Sequence, residues 1–555
     1  MTQKELLKDF GDQLFAGLVS RTLDKCSRWV CHRRIMGEPF PGNYTFKYHP
    51  WCKEVHDCNS GFCTVMKAAQ LGLTEAAINR AFHTVDVLKR DVLYVLPTAL
   101  NASDFSKSRF NTALLHSPYL ADLFTDTNTV GLKQAGGVNL YIRGSRGDSN
   151  LKSIPVSELI LDEADEMDQR AIWLALERLS GQLHKHVFSL STPTIPNFGI
   201  HKLYQQGTQE HFYFKCPRCG KTTELIFPEC LEICGESITD PEVKRSYLKC
   251  KECEGILTQE EKPEFLKKAY WEPTVRVEED HRSFYVNQMY SYTITAADLA
   301  LAYFRGIGDE AAMVEFHNSK QGLPYIPDGG QVTDSEIEVA VQNYFKERQR
   351  PDVGSERLIT MGVDQGKMNN IVVMEWSVDH GIDINASAFG KVLFEGKLPG
   401  DDFNTLDPLM REWQVKACVI DADPQINDAR RFARRFPGYV YLCRYRRGVT
   451  GKELQVSEEE SGAPIVTVDR TNWLDASMGR FHSDRIHIPA DTSLEFKDHM
   501  KALVRTYEKD ELGNSKAVYL NTGPDHFAHA LNYAEIALPL AAGIVTGGDI
   551  EDKVL

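Results

Sequence analysis

Three groups of side chains are spaced for catalysis or metal binding. The first begins at Lys67-Ala68-Ala69-Gln70-Leu71-Gly72-Leu73-Thr74. A phosphate-binding loop needs backbone N–H groups around the phosphates, a lysine on them and a Ser/Thr hydroxyl on Mg2+, usually spaced G-x-x-x-x-G-K-[ST]. Here Gly72 and Thr74 keep their places, Leu73 fills the usual lysine slot, and Lys67 stands where the first glycine would be. A lysine is long enough to reach the phosphates from that opposite end. Alone, the match is weak and reads better as an ordinary strand–turn–helix. The apolar run Leu159-Ile160-Leu161 followed by Asp162-Glu163 strengthens it, with one carboxylate to position Mg2+ and a second to polarise the attacking water. Acidic residues also favour helix starts. The order of loop, strand-Asp-Glu and a later strand end at Ser191-Thr192-Pro193, where such ATPases couple hydrolysis to motion, points instead to ATP hydrolysis.

The second group is Cys216-x-x-Cys219 with Cys250-x-x-Cys253. Two such knuckles can set four thiolates tetrahedrally around Zn2+, leaving no open coordination position, so the expected zinc is structural. Cys230 and Cys234 lie between the pairs and are alternative ligands.

The third group is Asp364, Asp421 and Asp525. Two-metal nucleases need carboxylates converging on Mg2+ or Mn2+ ions about 4 Å apart. In an RNase H-like sheet they come from the first strand, the end of the fourth and the start of the last helix. Met361-Gly362-Val363-Asp364, Val419-Ile420-Asp421-Ala422-Asp423 and Pro524-Asp525-His526 occur in that order. Asp423 is an accessory candidate, and Arg430, Arg431, Arg434 and Arg435 are candidates for holding phosphates. Each aspartate alone would read as a strand-end cap; three in order read as a nuclease.

Elements to position these groups are readable. Val92–Leu96, Glu158–Leu161 and Val187–Leu190 are short apolar runs separated by helix-length segments, the pattern of a parallel α/β sheet. A second α/β pattern starts at Leu358, with a hairpin expected across Ile371–Glu375 and Ala386–Leu393, a strand at Ala417–Ile420 and an apolar helix after Asp525. A helix is expected from Lys4 to Leu23, and Gln342–Glu356 reads as a linker. The 555 residues exceed one core. With 42% apolar and 25% charged residues the composition is that of a globular protein. No apolar run reaches the roughly 18–20 residues of a membrane span, and Met1–Glu5 lacks the layout of a secretory signal; a soluble, intracellular protein is expected. The thirteen cysteines, four of them in paired knuckles, suit metal in a reducing compartment better than a disulfide framework. A net charge of −15 weighs mildly against nucleic-acid binding, although affinity for phosphates depends on local basic faces.

Taken together, the motifs resemble those of phage terminase large subunits of the lambda-type (GpA) branch, which carry the displaced lysine. Similar segments are Lys67–Glu75, Gly144-Ser145-Arg146 to Asn150-Leu151 with Pro155, Lys249–Cys253, Trp271-Glu272-Pro273, Ser283–Asn287 and Asn318–Tyr325 (NSKQGLPY). The likeness runs from Pro50-Trp51 to about Ala537. It implies an α/β chain: a P-loop (RecA/ASCE-like) ATPase domain with a zinc-ribbon insertion, then an RNase H-like nuclease domain. The expected divisions are an N-terminal helical segment 1–40, ATPase 41–211, zinc-ribbon-like insertion 212–273, ATPase completion and linker 274–356, nuclease 357–540 and tail 541–555. By the same resemblance Lys67, Gly72, Thr74 and Asp162 bind ATP and Mg2+, Glu163 is the catalytic carboxylate, and Ser191-Thr192 couple hydrolysis to DNA movement. Arg143 or Arg146 is the candidate charge-stabilising arginine. Asp364, Asp421 and Asp525 hold the nuclease Mg2+ or Mn2+, although His526 and His529 depart from the acid-richer family pattern. The implied function is a motor that packages double-stranded DNA into a procapsid and cuts the concatemer. Its implied partners are a small terminase subunit and the portal, its implied form a ring at the procapsid in the host cytoplasm. The alternative is a helicase-like remodelling ATPase, prompted by Asp162-Glu163-Ala164-Asp165; a third reading is a zinc-ribbon scaffold with degenerate enzyme folds.

Overall fold

A computed structural model of the protein describes residues 23–147, 151, 154–347, 356–378, 388–446, 454–458, 463–509 and 513–543. The helix expected at Lys4–Leu23 lies almost wholly outside these residues, as do Asn150 and most of the tail. The chain forms two compact units, Met1–Tyr325 and Ile326–Leu555.

The first unit is built on a sheet of eleven strands among the described residues. Its central elements are β1 (Phe62–Lys67), α1 (Leu73–His83), β2 (Val92–Leu96), β3 (Val138–Gly144), β4 (Glu158–Asp162), β5 (His186–Ser191), α2 (Gly199–Gln206), β6 (Glu210–Lys215) and β7 (His281–Val286). The strands lie in the order β6–β7–β1–β5–β4–β2–β3, every neighbour parallel. β5 therefore stands between β1, which carries Lys67, and β4, which carries Asp162; this interposed strand is the arrangement of the RecA/ASCE-like class. β2 and β4 are buried along their whole length, which explains why their sequences run apolar without alternation. One face packs on Trp51, Phe82, Phe110 and Phe188, the other on Leu159, Leu161, Ile172 and Ile200. Arg80 of α1 donates to Glu158 of β4 at 3.1 Å and to the Cys58 carbonyl at 2.6 Å, fixing the helix after the lysine loop against the strand of the Asp-Glu pair.

Asp165, the last letter of Asp-Glu-Ala-Asp, performs a structural task. Buried, its Oδ2 accepts the Thr194 amide at 2.7 Å and the Thr194 hydroxyl at 2.8 Å, and its Oδ1 accepts the Ile200 amide. It thereby ties the turn after β4 to the segment leaving β5.

The segment expected as a separate insertion from 212 to 273 is woven into the main sheet at both ends. Residues 210–215 form β6, and Tyr270–Pro273 returns antiparallel beside it. Between them, Leu231–Glu232, Tyr247–Lys249 and Ile256–Leu257 make a three-stranded sheet of their own.

The second unit opens with α3 (Asp334–Glu347), whose Ile337 and Ala340 enter its core. The division at Tyr325 thus precedes the expected linker: Gln342–Glu347 end this helix, residues 348–355 lie outside the described part, and Glu356 already belongs to a strand. The sheet contains β8 (Glu356–Asp364), β9 (Met368–Val378), β10 (Phe389–Pro399), β11 (Ala417–Asp421) and β12 (Val440–Tyr445), flanked by α4 (Ile426–Arg435), α5 (Arg470–His482) and α6 (His526–Ala541). Its order is β10–β9–β8–β11–β12 with further edge strands; β8, β9 and β10 pair antiparallel, while β8, β11 and β12 run parallel, as in an RNase H-like sheet. The expected hairpin is present as β9 and β10, each running past the expected arm at Glu375 and Leu393, while Ala386 and Ser387 lie outside the described residues.

Helix α6 crosses β8 at Gly362, where an added Cβ would lie 1.9 Å from the Ala530 carbonyl oxygen and 2.4 Å from the Ala534 nitrogen. Thr360 donates to the Ala534 carbonyl at 2.8 Å, and Arg480 of α5 pairs with Glu535 in the interior. Among the described residues no helix is long and apolar enough to cross a membrane.

Two outcomes are expected. Gly362→Ala should destabilise the second unit by about 3 kcal/mol or more, because backbone rather than a flexible side chain blocks the added methyl; denaturant unfolding of the full chain measures it. Asp165→Asn, which turns an acceptor into a donor facing the Thr194 and Ile200 amides, should cost about 1–3 kcal/mol in the first unit, read by thermal melting.

Candidate active sites

Lys67 is the last residue of β1, and the chain then turns through Gln70 and Gly72, both at positive φ, into α1. Gly72 caps that helix, with Thr74 in its first turn. Only 4% exposed, Lys67 sends its ammonium to Glu163 Oε1 at 3.1 Å. A buried ammonium requires such a partner. Glu163 faces it because its backbone adopts the left-handed region, φ 59°, which turns the residue after β4 back toward β1. Asp162 is buried; its Oδ2 accepts the Tyr94 hydroxyl at 2.6 Å, while Oδ1 has no partner among the described residues. Burial, then the neighbouring charge of Glu163, pushes its carboxyl up to about 7 against the pull of Lys67. A free carboxylate oxygen in that state fits a cation, which would restore ionisation. Ser191, at the end of β5, donates to Glu163 Oε2 and accepts the Asp165 amide, each at 3.3 Å. The structure therefore brings Lys67, Asp162, Glu163 and Ser191 together, with Gly72, Thr74 and Thr192 on the adjoining loop and strand ends.

Tyr94 escaped the sequence reading; its one signal was a lone hydroxyl inside a wholly apolar strand. Glu75 is held by Arg34 at 2.8 Å and Arg109 at 3.0 Å. Arg143 is spent on the Gly131 and Ile142 carbonyls, and Arg146 is exposed.

The four sulfurs of Cys216, Cys219, Cys250 and Cys253 lie within 4.8 Å of one another. Each knuckle closes the same way: the Gly220 amide donates to the Cys216 carbonyl at 2.9 Å and the Glu254 amide to the Cys250 carbonyl at 2.8 Å, both donors at positive φ. The Arg218 and Glu252 amides point at Cys216 and Cys250 sulfur, at 3.3 and 3.4 Å. Amides directed at sulfur favour thiolates, so this set fits a tetrahedral zinc. Cys230 is turned away, toward the Glu224 carbonyl, and neither it nor Cys234 joins the cluster.

In the second unit Asp364 and Asp421 end adjacent parallel strands, one residue beyond the Val363–Ile420 pair. Asp525 stands immediately before α6, which packs on both strands. Gln365 braces the site, donating to the Asp421 carbonyl and accepting the Gln425 amide at 2.9 Å. The two unexpected imidazoles take up two of the three carboxylates. His526 Nδ1 is 2.9 Å from Asp364 Oδ2, a contact that raises its pKa. His529 Nε2 is 3.4 Å from Asp525 Oδ2. Burial alone would raise Asp525, but the hydrogen bond and charge of His529, with Arg470, hold it below the usual carboxylate range. Asp421 is pushed up to about 6 by burial, opposed by the Asp423 amide, assisted by the charge of Asp364 and opposed again by the charge of His529. The geometry favours divalent cations as the missing positive charge. Asp423 is exposed and 3.9 Å from Arg444. Of the arginines on α4, Arg431 pairs with Asp428 and Arg435 with Asp407. His482 binds Glu336 at 2.7 Å, away from this site.

No curated protein sequence matches the chain. Among solved structures it resembles the large terminase of bacteriophage HK97, with 11% identity over 94% of this chain and 99% of that one and a TM-score of 0.45. It also resembles a large terminase from a thermophilic bacteriophage, with 11% identity over 88% of this chain and 96% of that one and a TM-score of 0.29. The large terminase nuclease from thermophilic phage G20c matches at 14% identity over 37% and 97%, with a TM-score of 0.22. These overlaps are too loose to carry an argument about function. The family models are specific: the ATPase domain of phage terminase large subunit gpA matches residues 38–271, and the endonuclease domain of the same protein matches 281–382. The first match includes Lys67, Asp162, Glu163 and the four cysteines; the second includes Asp364. Together they cover more than half of the sequence, and the chain belongs to the phage terminase large subunit gpA family, as an ATPase and an endonuclease in one polypeptide.

Proposed function

We propose that this ATPase drives double-stranded viral DNA into a procapsid, using Lys67, Gly72, Thr74 and Asp162 to bind ATP with Mg2+, and that Asp364, Asp421 and Asp525 cut the concatemer. The observation that carries the reading is the contact between Lys67 and Glu163, with the unpartnered Asp162 oxygen beside it. Without nucleotide, the ammonium neutralises the very carboxylate needed to activate water. Arrival of a triphosphate offers Lys67 a stronger anionic partner, and its departure frees Glu163 to orient the attacking water and accept its proton. Asp162, with its free carboxylate oxygen, would hold Mg2+, which would supply charge neutralisation at the triphosphate. Ser191, touching Glu163 and the Asp165 amide, and Thr192 beyond it then carry the change at the carboxylate into the β5 end, which is the coupling step. In the nuclease, Asp364, Asp421 and Asp525 would hold two divalent ions, which would supply water activation and stabilisation of the leaving oxygen. Zinc in the four-cysteine site is structural. A small terminase subunit, the portal of the procapsid and a homo-oligomeric ring in the host cytoplasm complete the proposal.

Full-length protein is the material for the test. Glu163→Gln should lower ATP hydrolysis by about 10²–10⁴-fold while plasmid cutting in Mn2+ persists. Asp364→Ala should abolish cutting and spare the ATPase; loss of both activities in either variant would refute two separate centres. Elemental analysis should return one zinc per chain, and Cys250→Ser should lose it and lower the melting temperature. Zinc-free protein of unchanged stability would remove zinc from the scheme.

A further inference from the structure

The segment Asn318–Tyr325 is singled out by the sequence yet has no part in the chemistry above. It begins inside a π-helical stretch, Phe316–Gln321, a geometry that is rare and concentrated at functional places. It lies against the turn that follows Lys67. The Ala69 amide donates to the Ser319 carbonyl at 2.8 Å, and Gln288 donates to the Ala69 carbonyl at 2.9 Å, so both sides of Ala69 are held. Gly322 sits at φ +64°, where an added Cβ would lie 2.6 Å from the Ala68 nitrogen and 2.8 Å from the Lys67 carbonyl carbon. At its far end the Tyr325 amide donates to the Thr194 carbonyl at 3.0 Å, three residues beyond Ser191. One stretch of chain thus touches both the lysine loop and the segment leaving β5.

The polar atoms around this contact are unusual. Gln288 Oε1, Asn318 Oδ1 and both ends of the Gln321 carboxamide are buried and have no hydrogen-bond partner among the described residues. Gln321 and Gln288 are at most 1% exposed. Folded proteins leave few such atoms unpaired, so a concentration of them behind one loop asks for a reason.

We propose that Asn318–Gly322 and Gln288 are positioning residues for ATP hydrolysis, holding the turn that carries Lys67 and supplying it with new hydrogen-bond partners only as the transition state of hydrolysis is reached. Ser319 and Gln288 restrain Ala69, Gly322 permits the close approach, and the unpartnered carboxamides stabilise the displaced loop. Through Tyr325 the same segment registers the movement at Thr194. The inference rests on the reading of Lys67 as the phosphate ligand.

Steady-state ATPase assays on the full chain, with titration of a fluorescent ATP analogue and thermal melting, test it. Gln321→Met keeps the side-chain length and removes both unpartnered atoms. It should melt no lower than wild type, yet lose about 10- to 100-fold in kcat, with KM and analogue affinity within about two-fold. Gly322→Ala, whose methyl would meet the Lys67–Ala68 backbone at positive φ, should lower the melting temperature as well as kcat, so its kcat is read per folded chain. An unchanged kcat in Gln321→Met, or a loss that only follows a lower folded fraction, would overturn the proposal. Lys67→Ala run alongside separates the two levels: if it keeps full activity, the reading of the nucleotide site fails, whatever the Gln321 variant does.

Discussion

A lysine ammonium at the end of a buried strand must find a counter-charge inside the protein, and much of the first unit is arranged around that need. Lys67 reaches Glu163 past an intervening strand. The contact exists only because β1, β5 and β4 end level with one another and because Glu163 accepts a strained backbone to turn inward. Arg80 and Glu158 lock α1 to β4 below the site, and Asp165 locks the turn above it. Charge, register and backbone strain thus describe one device, an ammonium resting on the carboxylate it must later release.

The second unit meets a related problem with different parts. Three carboxylates are gathered at one end of a sheet, and the two imidazoles of α6 pair with Asp364 and Asp525. At Asp421 burial outweighs the charge of His529 and the carboxyl is pushed up. Close packing makes this possible: Gly362 lets α6 lie directly on β8, bringing Asp525 and both histidines to the strand ends. A bulkier residue there would withdraw the third carboxylate from the other two.

Much of this was legible in the sequence because it depends on local chemistry. Continuous apolar runs announced β2, β4 and β5, paired knuckles announced the thiolate cluster, and the order of three aspartates announced the second sheet. Long-range contacts left no local trace. Nothing near His526 points to Asp364, and nothing near Asn318 points to Ala69, since both contacts are made by chain crossing. Asp165 was open to misreading because Asp-Glu-Ala-Asp has the same letters whether its last residue serves chemistry or holds a turn. The start of the second unit was hidden for another reason: α3 is polar on its outer face, and its charge resembles that of a linker.

The place of β7 has a consequence for how the protein is made. Thr64 of β1 shares a hydrogen bond with His281, 217 positions later in the chain. At a synthesis rate of about 5–20 residues per second, on the order of 10–40 s separate the emergence of one strand from that of its neighbour. During that interval β1 leaves the ribosome with an open edge and an apolar face, the state most prone to illicit pairing between nascent chains. Each nascent chain therefore carries that unpaired edge until His281–Val286 has been made.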